Sequence, residues 1–253
     1  MSTAPPVWVV RRVEATGSTN ADLLAAAAAA GAPEGSALVA DHQRAGRGRL
    51  GRQWLTPPGS ALAVSVLFRP PAAARDRLGW LPLLSGLAVL DALDALAPGV
   101  GAALKWPNDV LVGAGDGAAK VAGVLVQAEP GAGAVVVGIG VNVSTPAADL
   151  PVGVAATSLA AAGADVDRES LLQALLGRLG ERYASWVDGT APLDDLRARC
   201  STLGRDVVVD RPGGPLAGRA VDVDVAGRLL VRRADGTTEA LDAGDVTHLR
   251  AAD

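Results

Sequence analysis

The segment from Arg44 to Trp54 constrains the fold of this chain most, because its composition suits the interior of neither a helix nor a strand. It reads RAGRGRLGRQW, with four arginines and three glycines ahead of a tryptophan. Glycine lets a backbone approach a ligand closely, and the planar guanidinium group of arginine matches carboxylates and phosphates. The segment is therefore predicted to be a mobile loop that closes over an anion.

Gly46, Gly48 and Gly51 also spell the G-x-G-x-x-G pattern of dinucleotide-binding folds. That pattern needs a helix that opens directly on it, because the phosphate binds at the helix N-terminus. Here the turn signal Pro57-Pro58-Gly59 follows instead, and residues 61–69 read as a strand. The sequence also lacks the H-R-D and D-F-G partners of a kinase glycine loop, and no lysine follows the second glycine as in a P-loop. The segment is thus predicted to join two strands.

The overall composition is that of a soluble globular protein with one large domain and one small one. Its 253 residues are 49% hydrophobic and 20% charged. A net charge of −4 and a pI of about 5.2 argue against a general nucleic-acid or anionic-membrane binder. The single cysteine, Cys200, excludes an internal disulfide and a cysteine-rich metal site, and it favours a reducing cytoplasm.

No targeting segment, membrane span or metal site is expected from the sequence. Residues 1–6 lack the regions of a signal peptide, and the longest apolar stretches are short and interrupted. His42 and His248 lie too far apart to show metal-ligand spacing. The predicted location is therefore the cytoplasm, with no membrane partner and no certain metal ligand.

A helix is predicted after the first strand, from Ser18 to Ala30. Thr19 and Asp22 have the spacing of a capping box, the alanine-rich run favours a helix, and Gly31 ends it. Further helices are predicted over residues 78–97, 168–187 and 193–202. Short β-branched runs punctuated by glycine predict a mainly antiparallel sheet, with strands at residues 7–13, 36–41, 61–69, 102–106, 108–112, 120–129 and 135–143.

The character of the sequence changes after Leu203. Short strands are predicted at residues 206–210, 217–225, 228–233 and 238–249, with glycine-containing turns between them. We therefore predict a large domain over residues 1–203 and a small β-barrel domain over residues 204–253.

Three further groups of residues place reactive or polar side chains at strand ends. Lys105 to Asp109 (KWPND) holds a cation, an amide and a carboxylate in a turn that proline restricts, the alternative being a plain hairpin corner. Lys120 precedes an apolar strand, where the alternative is a solvated lysine. Gly138 to Val143 (GIGVNV) indicates close approach by a ligand or, alternatively, a bulge. For Ser18 and Thr19 the alternative to ligand binding is helix capping alone.

In order and spacing, these groups resemble the biotin protein ligases, which attach biotin to a lysine of a carrier domain. The resemblance spans nearly the whole chain. It implies an α+β fold, in which a mainly antiparallel mixed sheet is packed with helices as in the class II synthetase-like biotin and lipoate ligases, plus a small C-terminal SH3-like β-barrel. The residues that carry it are Ser18-Thr19-Asn20, Gln43 to Trp54, Lys105 to Asp109, Lys120-Val121-Ala122-Gly123 and Gly138 to Val143.

The resemblance also implies a reaction and its participants. The implied enzyme is an ATP-dependent ligase that activates biotin as biotinyl-5'-AMP with the help of Mg²⁺. It then transfers the biotinyl group to a specific lysine of a biotin carboxyl carrier protein domain, as found in acyl-CoA and pyruvate carboxylases.

Site residues follow from the resemblance position by position. Lys120 and Arg47 are the implied catalytic residues, and Lys120 faces the biotin carboxylate and the acyl phosphate. Asp109 is implied to help hold metal or to orient Lys120, not to act as a general base. Gln127 departs from the pattern, because relatives often carry glutamate there. The implied biotin-binding residues are Ser18, Thr19, Asn20, Gln43, Arg47, Gly48, Arg49, Lys120 and Gly123, and the implied ATP-binding or adenylate-binding residues are Arg49, Trp54, Lys105, Asn108, Asp109 and Asn142.

Two other functions remain open at this point. A lipoate or octanoate protein ligase has the same fold but less use for Ser18, Thr19 and Gln43, because its substrate is a linear chain. A nucleic-acid-binding module would use the arginine-glycine segment without catalysis, but it would need a wider basic face. Since the first strand begins by about Val7, no N-terminal DNA-binding domain and no DNA partner are expected. The predicted state is a monomer or a weak homodimer.

Overall fold

The larger part of the chain is built on one seven-stranded sheet. The computed structural model describes residues 3–54, 57–129, 131, 133–151 and 155–249. The strands of this sheet are β1 (Val9–Thr16), β2 (Ser36–Gln43), β3 (Ala61–Phe68), β4 (Ala102–Lys105), β5 (Asp109–Val112), β6 (Ala119–Glu129) and β7 (Ala134–Asn142). They lie in the order β1-β2-β3-β7-β6-β5-β4. β1 and β2 run parallel, and every other neighbouring pair is antiparallel.

Helices cover both faces of this sheet. They are α1 (Thr19–Ala30), α2 (Trp80–Leu96), α3 (Arg168–Val187) and α4 (Leu193–Arg199). On one face, α1 packs Leu23 and Ala27 against Leu67 and Val136, while α2 and α3 supply the leucine-rich main core on the other. β3 is buried along its full length, as expected for a strand covered on both faces, and Ser65 is its one polar residue. Within the described ranges, no helix combines the length and apolar content that a membrane crossing requires.

A second, five-stranded antiparallel sheet forms the C-terminal part of the chain. Its strands are β8 (Asp206–Asp210), β9 (Leu216–Val223), β10 (Leu229–Arg232), β11 (Thr238–Leu241) and β12 (Asp245–His248), in the order β11-β10-β9-β8-β12. Trp80 Nε1 donates to Val225 O at 2.9 Å and Trp106 Nε1 donates to Gly227 O at 3.1 Å. Trp106, the aromatic residue of the KWPND turn, is 1% exposed. It therefore joins the two parts of the chain and does not line the cavity described below.

The predicted α+β class, the mainly antiparallel sheet and the small C-terminal β-structure are confirmed. The end of the first helix at Gly31, whose φ is 59°, and the bounds of α3 are confirmed as well. The proposed domain boundary after residue 203 stays a prediction. Residues 1, 2 and 250–253 of the two predicted domains lie outside the described residues.

Two predicted elements end earlier than expected, because the chain leaves them to pair elsewhere. The helix predicted to run to Thr202 ends at Arg199, since Cys200 adopts extended backbone and pairs in parallel with Leu104. The strand predicted over residues 238–249 is two strands. β11 pairs with β10 at one edge of the second sheet, whereas β12 pairs with β8 at the other.

Candidate active site

A cavity of about 750 Å³ lies over β6 and β7, between the arginine-glycine loop and the C-terminal sheet. Every residue that the resemblance assigned to a ligand lines it: Ser18, Thr19, Asn20, Gln43, Arg47, Gly48, Arg49, Trp54, Lys105, Asn108, Asp109, Lys120, Gly123 and Asn142. The C-terminal part contributes residues that were not predicted, among them Arg205, Asp245 and His248. The structure thus brings the predicted residues to one place, while their individual roles remain proposals.

One end of the cavity carries a buried chain of hydroxyl and amide groups. The Thr19 N–H donates to Gln43 Oε1 at 2.9 Å, and Thr19 Oγ1 lies 3.0 Å from the same oxygen. Ser65 Oγ lies 2.7 Å from Thr19 Oγ1 and donates to Asn20 Oδ1 at 2.6 Å. We call Ser18, Thr19, Asn20, Gln43 and Ser65, which are all buried, the polar end of the cavity. It suits a polar ring, because a buried polar ligand must find hydrogen-bond partners.

Asn20 braces the polar end against the sheet. Its Nδ2 donates to Leu125 O at 3.2 Å and to Gln127 Oε1 at 2.9 Å, so both amide hydrogens and the carbonyl oxygen of Asn20 have partners. A Cβ atom at Gly138 would lie 2.1 Å from Asn20 Oδ1, so the bare glycine makes room for the amide. Gln127, the departure from the family pattern, serves here as an uncharged acceptor for Asn20.

Ser18 is the N-cap residue of α1, but the predicted capping box is wrong. Its side chain makes no capping hydrogen bond, and Asp22 accepts from the Thr16 hydroxyl group instead of from a backbone N–H. Thr19 is engaged with Gln43. The alternative that Ser18 and Thr19 act only as caps is therefore excluded. Ser18 is 5% exposed and lines the cavity, where its hydroxyl group is open to a ligand.

The arginine-glycine loop, residues 44–54, forms a tight hairpin between β2 and β3, as its position between two strands predicted. The Trp54 N–H donates to Gly46 O at 2.9 Å and the Gly48 N–H donates to Arg52 O at 2.7 Å. A Cβ atom at Gly46 would lie 2.3 Å from Trp54 O, so the close crossing of the two arms requires glycine. At the tip, Leu50 has a φ of 56°, which a residue with a side chain rarely adopts.

The three arginines of this loop that line the cavity have different environments. Arg49 Nη1 donates to Asn108 Oδ1 at 2.8 Å, and burial lowers the pKa of Arg49. Arg52 pairs with Asp245 of β12, and this contact raises the pKa of Arg52 and lowers that of Asp245. Arg47 is exposed, and its guanidinium group has no hydrogen bond or ion pair among the residues that the structure describes. Arg47 is thus the loop cation that is most open to a ligand.

Lys120 stands at the start of β6 between a carboxylate and an aromatic ring. Its Nζ lies 2.6 Å from Asp109 Oδ1 and 5.4 Å from the centroid of the Trp54 ring. Its backbone is fixed by the segment that follows β7, because its N–H donates to Ala155 O at 2.8 Å and its carbonyl oxygen accepts from the Thr157 N–H at 2.9 Å. The Lys120 side chain is only 25% exposed, so the alternative of a freely solvated lysine is excluded.

The Trp54 indole rests on glycines of the sheet. A Cβ atom would lie 2.5 Å from the indole at Gly140 and 3.2 Å from it at Gly123. Gly138 and Gly140 both line the cavity, and in this structure Asn20 lies against Gly138 and Trp54 against Gly140. The expected approach of a ligand to these glycines stays a prediction. The two glycines share one face of β7, about 7 Å apart along the strand. Trp54 Nε1 is buried without a hydrogen-bond partner in the described part of the chain.

Two asparagines that were predicted to bind ATP or the adenylate hold neighbouring segments of the cavity wall in place. Asn108 Nδ2 donates to Val124 O at 2.9 Å while its Oδ1 accepts from Arg49. Asn142 Nδ2 donates to Thr157 O at 3.0 Å, which fixes the segment beside Lys120. Both amides therefore hold other parts of the site in place in this structure.

The wall toward the C-terminal sheet is basic and partly shielded from water. Burial lowers the pKa of Lys105, against the opposing effect of Asp109 and Asp245. Burial, aided by Lys105, lowers the pKa of His248 to about 4, so this ring is neutral at physiological pH. His248 Nε2 lies 3.1 Å from Thr202 Oγ1. This wall therefore adds cationic charge through Lys105 and not through the histidine.

The cavity is more basic than the chain as a whole, whose net charge is −4. Arg47, Arg49, Arg52, Lys105, Lys120 and Arg205 line it, against the carboxylates of Asp109, Asp116 and Asp245. Each of these carboxylates already pairs with a cation. Among the described residues there is no cluster of three or more His, Cys, Asp or Glu that could hold a metal ion. The donor set thus suits an anionic ligand and does not fit a protein-built metal cage.

Sequence reasoning missed some of these residues. Ser65 carries a usable signal, because it is the one polar residue in the apolar run ALAVSVLF, and a buried hydroxyl group needs a partner. Asp116, Arg205 and Asp245 carry no local signal. Arg205 and Asp245 reach the cavity only because the C-terminal sheet packs beside it, whereas Asp116 lies in the connection between β5 and β6 and pairs with Arg205 there.

Comparisons with known proteins follow the same division of the chain. Residues 13–144 match the biotin/lipoate A/B protein ligase family, and residues 202–249 match the biotin protein ligase C terminal domain.

Individual relatives cover most of the chain. It is 43% identical over 244 residues to the biotin--[acetyl-CoA-carboxylase] ligase of Mycobacterium tuberculosis, covering 94% of this chain and 88% of that protein. It is 36% identical over 233 residues to the biotin--[acetyl-CoA-carboxylase] ligase of Paracoccus denitrificans, covering 86% of this chain and 91% of that protein. The structure of the biotin protein ligase from Aquifex aeolicus in complex with biotin and ATP is similar with a TM-score of 0.81, at 29% identity, over 96% of this chain and 99% of that one.

Proposed function

Because the chain belongs to the biotin/lipoate A/B protein ligase family, we propose that it is an ATP-dependent biotin ligase. It activates biotin as biotinyl-5'-AMP and transfers the biotinyl group to a lysine of a carrier protein. The reaction is the one that the sequence resemblance implied. The structure supports it because uncharged hydroxyl and amide groups and cationic side chains line the same cavity.

The observation that carries this proposal is that the polar end of the cavity and its cationic residues lie side by side, with Lys120 where they meet. Asn20 of the polar end covers Gly138, and Trp54, which lies beside Lys120, covers Gly140. These two positions lie about 7 Å apart along β7. Biotin has a matching layout, with a cyclic urea at one end and a carboxylate at the end of a short apolar tail. We place the ring at the polar end and the carboxylate at Lys120.

Ser18, Thr19 and Gln43 are proposed to bind the cyclic urea. Ser18 offers a hydroxyl group without a capping bond, and Thr19 and Gln43 hold one another in a fixed orientation. Asn20 contributes as a brace, because its amide is already fully engaged. A ring that met these groups would keep all its polar atoms paired, which a buried ligand requires.

The first chemical step brings two anions together. A carboxylate oxygen of biotin attacks the α-phosphorus of ATP, which forms a mixed anhydride and expels pyrophosphate. Cations must offset the repulsion and the charge that develops at phosphorus. We assign this role to Lys120, which Asp109 holds in place, and to Arg47 and Arg49 of the loop.

The nucleotide is proposed to lie between Trp54 and the KWPND turn. Trp54 offers an indole face for the adenine, Asn108 and Asn142 offer amide groups for its edge or for the ribose, and Lys105 faces the phosphates. Gly48 of the loop and Gly123 beside Lys120 are proposed to let the backbone approach biotin closely. Mg²⁺ is proposed to enter with the ATP phosphates, because it commonly keeps phosphate oxygens and waters as ligands and the cavity carboxylates are already paired.

In the second step, the lysine amine of the carrier attacks the carbonyl carbon of the anhydride, forms an amide and expels AMP. The loop is proposed to cover the anhydride until then and to exclude water, which would hydrolyse it. We propose a biotin carboxyl carrier domain of an acyl-CoA or pyruvate carboxylase as the acceptor. The enzyme is further proposed to act in the cytoplasm, as a monomer or weak homodimer, without a DNA partner.

The test is adenylate formation by the purified chain with ATP, Mg²⁺ and either biotin or lipoate, followed by mass spectrometry and pyrophosphate release. We expect biotinyl-AMP with biotin, transfer of biotin to an added carrier domain, and much slower adenylate formation by the Lys120→Ala variant. Lipoyl-AMP without biotinyl-AMP would overturn the choice of substrate. Tight binding to generic DNA at physiological salt, without biotin-dependent pyrophosphate release, would favour a nucleic-acid-binding module.

A further inference from the structure

Ser65 is fully buried in β3, at 0% exposure, and is the one residue of the polar end that the cavity surface does not include. A hydroxyl group in such a position has no solvent to satisfy it, so its partners define its role. Ser65 Oγ has two, Thr19 Oγ1 at 2.7 Å and Asn20 Oδ1 at 2.6 Å. It therefore links a cavity residue to the brace behind it.

The direction of this hydrogen-bond chain is fixed from one side by a backbone carbonyl. Asn20 Nδ2 lies against Leu125 O, which can only accept, so the other amide atom of Asn20, its Oδ1, must face Ser65. Because that oxygen can only accept as well, the single proton of the Ser65 hydroxyl group points to Asn20. Ser65 then has only lone pairs to offer Thr19.

A backbone N–H fixes the direction of the same series of hydrogen bonds from the other side. The Thr19 N–H donates to Gln43 Oε1, so this oxygen is an acceptor that faces the Thr19 side chain. The Thr19 hydroxyl group thus has acceptors at 2.7 Å and 3.0 Å, namely Ser65 Oγ and Gln43 Oε1. Its proton points to one of them and away from the cavity. What Thr19 presents to the cavity is a lone pair.

We propose that Ser65 is a positioning residue that sets Thr19 as a hydrogen-bond acceptor and thereby favours ligands whose ring carries an N–H donor. This inference rests on the proposed function, in which the ring is a cyclic urea with two N–H groups. Turning the Thr19 proton into the cavity would leave two pairs of acceptor oxygens facing each other at short distance. Without the Ser65 hydroxyl group only the Gln43 contact opposes that rotation.

The test compares biotin with the two analogues in which one or the other ring N–H is replaced by oxygen, so that the cyclic urea becomes a cyclic carbamate. Wild-type enzyme and Ser65→Ala are titrated with each ligand by calorimetry, and adenylation is measured at saturating ATP. The matched control is Ser85→Ala, since Ser85 is also 0% exposed but donates to Leu81 O inside α2, away from the cavity. Ser65→Thr, which keeps the hydroxyl group, is the second variant.

We expect Ser65→Ala to bind biotin about tenfold more weakly and to lose a similar factor of its preference over one analogue. KM for ATP should change by less than about twofold. Ser65→Thr should keep the wild-type preference, and Ser85→Ala should match wild-type enzyme in every ligand measurement. Equal weakening of all ligands in Ser65→Ala, or an unchanged preference, would overturn the inference, as would a folded Ser65→Thr that loses the preference. If wild-type enzyme binds no biotin, the proposed function itself is wrong, whereas normal biotin adenylation with an unaltered preference contradicts the role of Ser65 alone.

Discussion

The polar end and the arginine-glycine loop line the same cavity but are built in opposite ways. The polar end stands on the start of α1 and on β2 and β3, where its side chains are buried and all but that of Ser18 are hydrogen-bonded to one another. The loop has no long element beneath it. Its cavity-facing arginines are held singly by distant residues, Arg49 by Asn108 and Arg52 by Asp245, and Arg47 has no such partner among the described residues.

The difference suits two separate tasks, which are to bind the ring of the ligand and to cover the ligand once it is bound. A preformed polar pocket loses little conformational entropy when it binds a ring. Loop contacts that are few and partly exposed open at low cost, as a lid requires. We therefore expect changes at the polar end to alter biotin affinity and selectivity, and changes at the loop to alter the retention of the adenylate.

The largest effect is expected where the two regions meet, at Lys120. Lys120→Ala removes the cation that faces both the carboxylate and the α-phosphate in our proposal. Loss of one preorganised electrostatic contact commonly lowers the rate by about 100-fold to 1,000-fold. Pyrophosphate release should fall by that factor, while biotin binding by calorimetry should weaken far less because the polar end is intact. A Lys120→Ala enzyme that forms adenylate within about fivefold of the wild-type rate would contradict the assignment.

The contrast between the two regions also explains what the sequence could predict. The order of elements followed from hydrophobic periodicity and turn signals, which act locally. The residues around the cavity followed from the resemblance, and that resemblance rests on short motifs such as Lys105 to Asp109 and Lys120 to Gly123, which each lie within one turn or strand. Local spacing nevertheless misassigned Asp22, because its partner turned out to be the Thr16 hydroxyl group at the end of β1.

Contacts between segments that are distant in sequence could not be predicted from local patterns. Nothing near Asp245 in the sequence indicates that it meets Arg52, since this pair exists only when β12 packs beside the loop. The glycines of β7 were predicted to mark close approach by a ligand, but nothing in the sequence indicated that Asn20 and Trp54 would lie against them. Which side chain or ligand packs against a strand glycine depends on the tertiary fold.

Substitutions at Gly138 and Gly140 perturb the polar end and the loop separately, although the two glycines lie on the same face of one strand. Gly138→Ala places a methyl group 2.1 Å from Asn20 Oδ1, and Gly140→Ala places one 2.5 Å from the Trp54 indole. Each change forces a neighbour to move. We expect Gly138→Ala to weaken biotin binding by about tenfold or more, equal to about 1.4 kcal/mol or more, and Gly140→Ala to impair ATP use and adenylate retention instead.

The measurements are biotin affinity by calorimetry, KM for ATP, and the rate at which adenylate escapes into solution. Gly177→Ala in α3 is the control, because a Cβ atom there meets nothing within 4 Å and alanine favours a helix. If both strand variants showed the same profile, the division of the cavity into a polar end and a loop side would be wrong.

Arg47 tests the loop side alone. Arg47→Ala removes an exposed cation, and we expect about fivefold weaker retention of the adenylate, since exposed charge contacts contribute about 1 kcal/mol. Arg44→Ala is the matched control, because Arg44 is also exposed in this loop but does not line the cavity. Dissociation of labelled biotinyl-AMP, followed by rapid filtration, measures the effect. Equal retention by the Arg47→Ala and wild-type enzymes would remove this residue from loop closure.

The smallest effect is expected at the contact between Arg52 and Asp245, which joins the loop to the C-terminal sheet. The Arg52 side chain is 60% exposed, so the pair should stabilise the hairpin by about 0–1 kcal/mol and shift KM for ATP by about twofold to threefold. Arg52→Ala, Asp245→Asn and the double variant should then behave alike, because each removes the same interaction.

The pH dependence of this contact follows from the direction of the shift. Arg52 lowers the pKa of Asp245 below the ordinary carboxyl value, so the contact is fully present above the unfolded pKa of about 3.9 and is lost only as the pH falls through the still lower folded value. Between pH 6 and 8 the pair should therefore respond to salt, which screens exposed charges, and not to pH. We expect 0.5 M NaCl to raise the wild-type KM for ATP more than that of Asp245→Asn. A pH-dependent change of KM between pH 6 and 8 that disappears in Asp245→Asn would show that the loop is coupled to the C-terminal sheet by another titrating group.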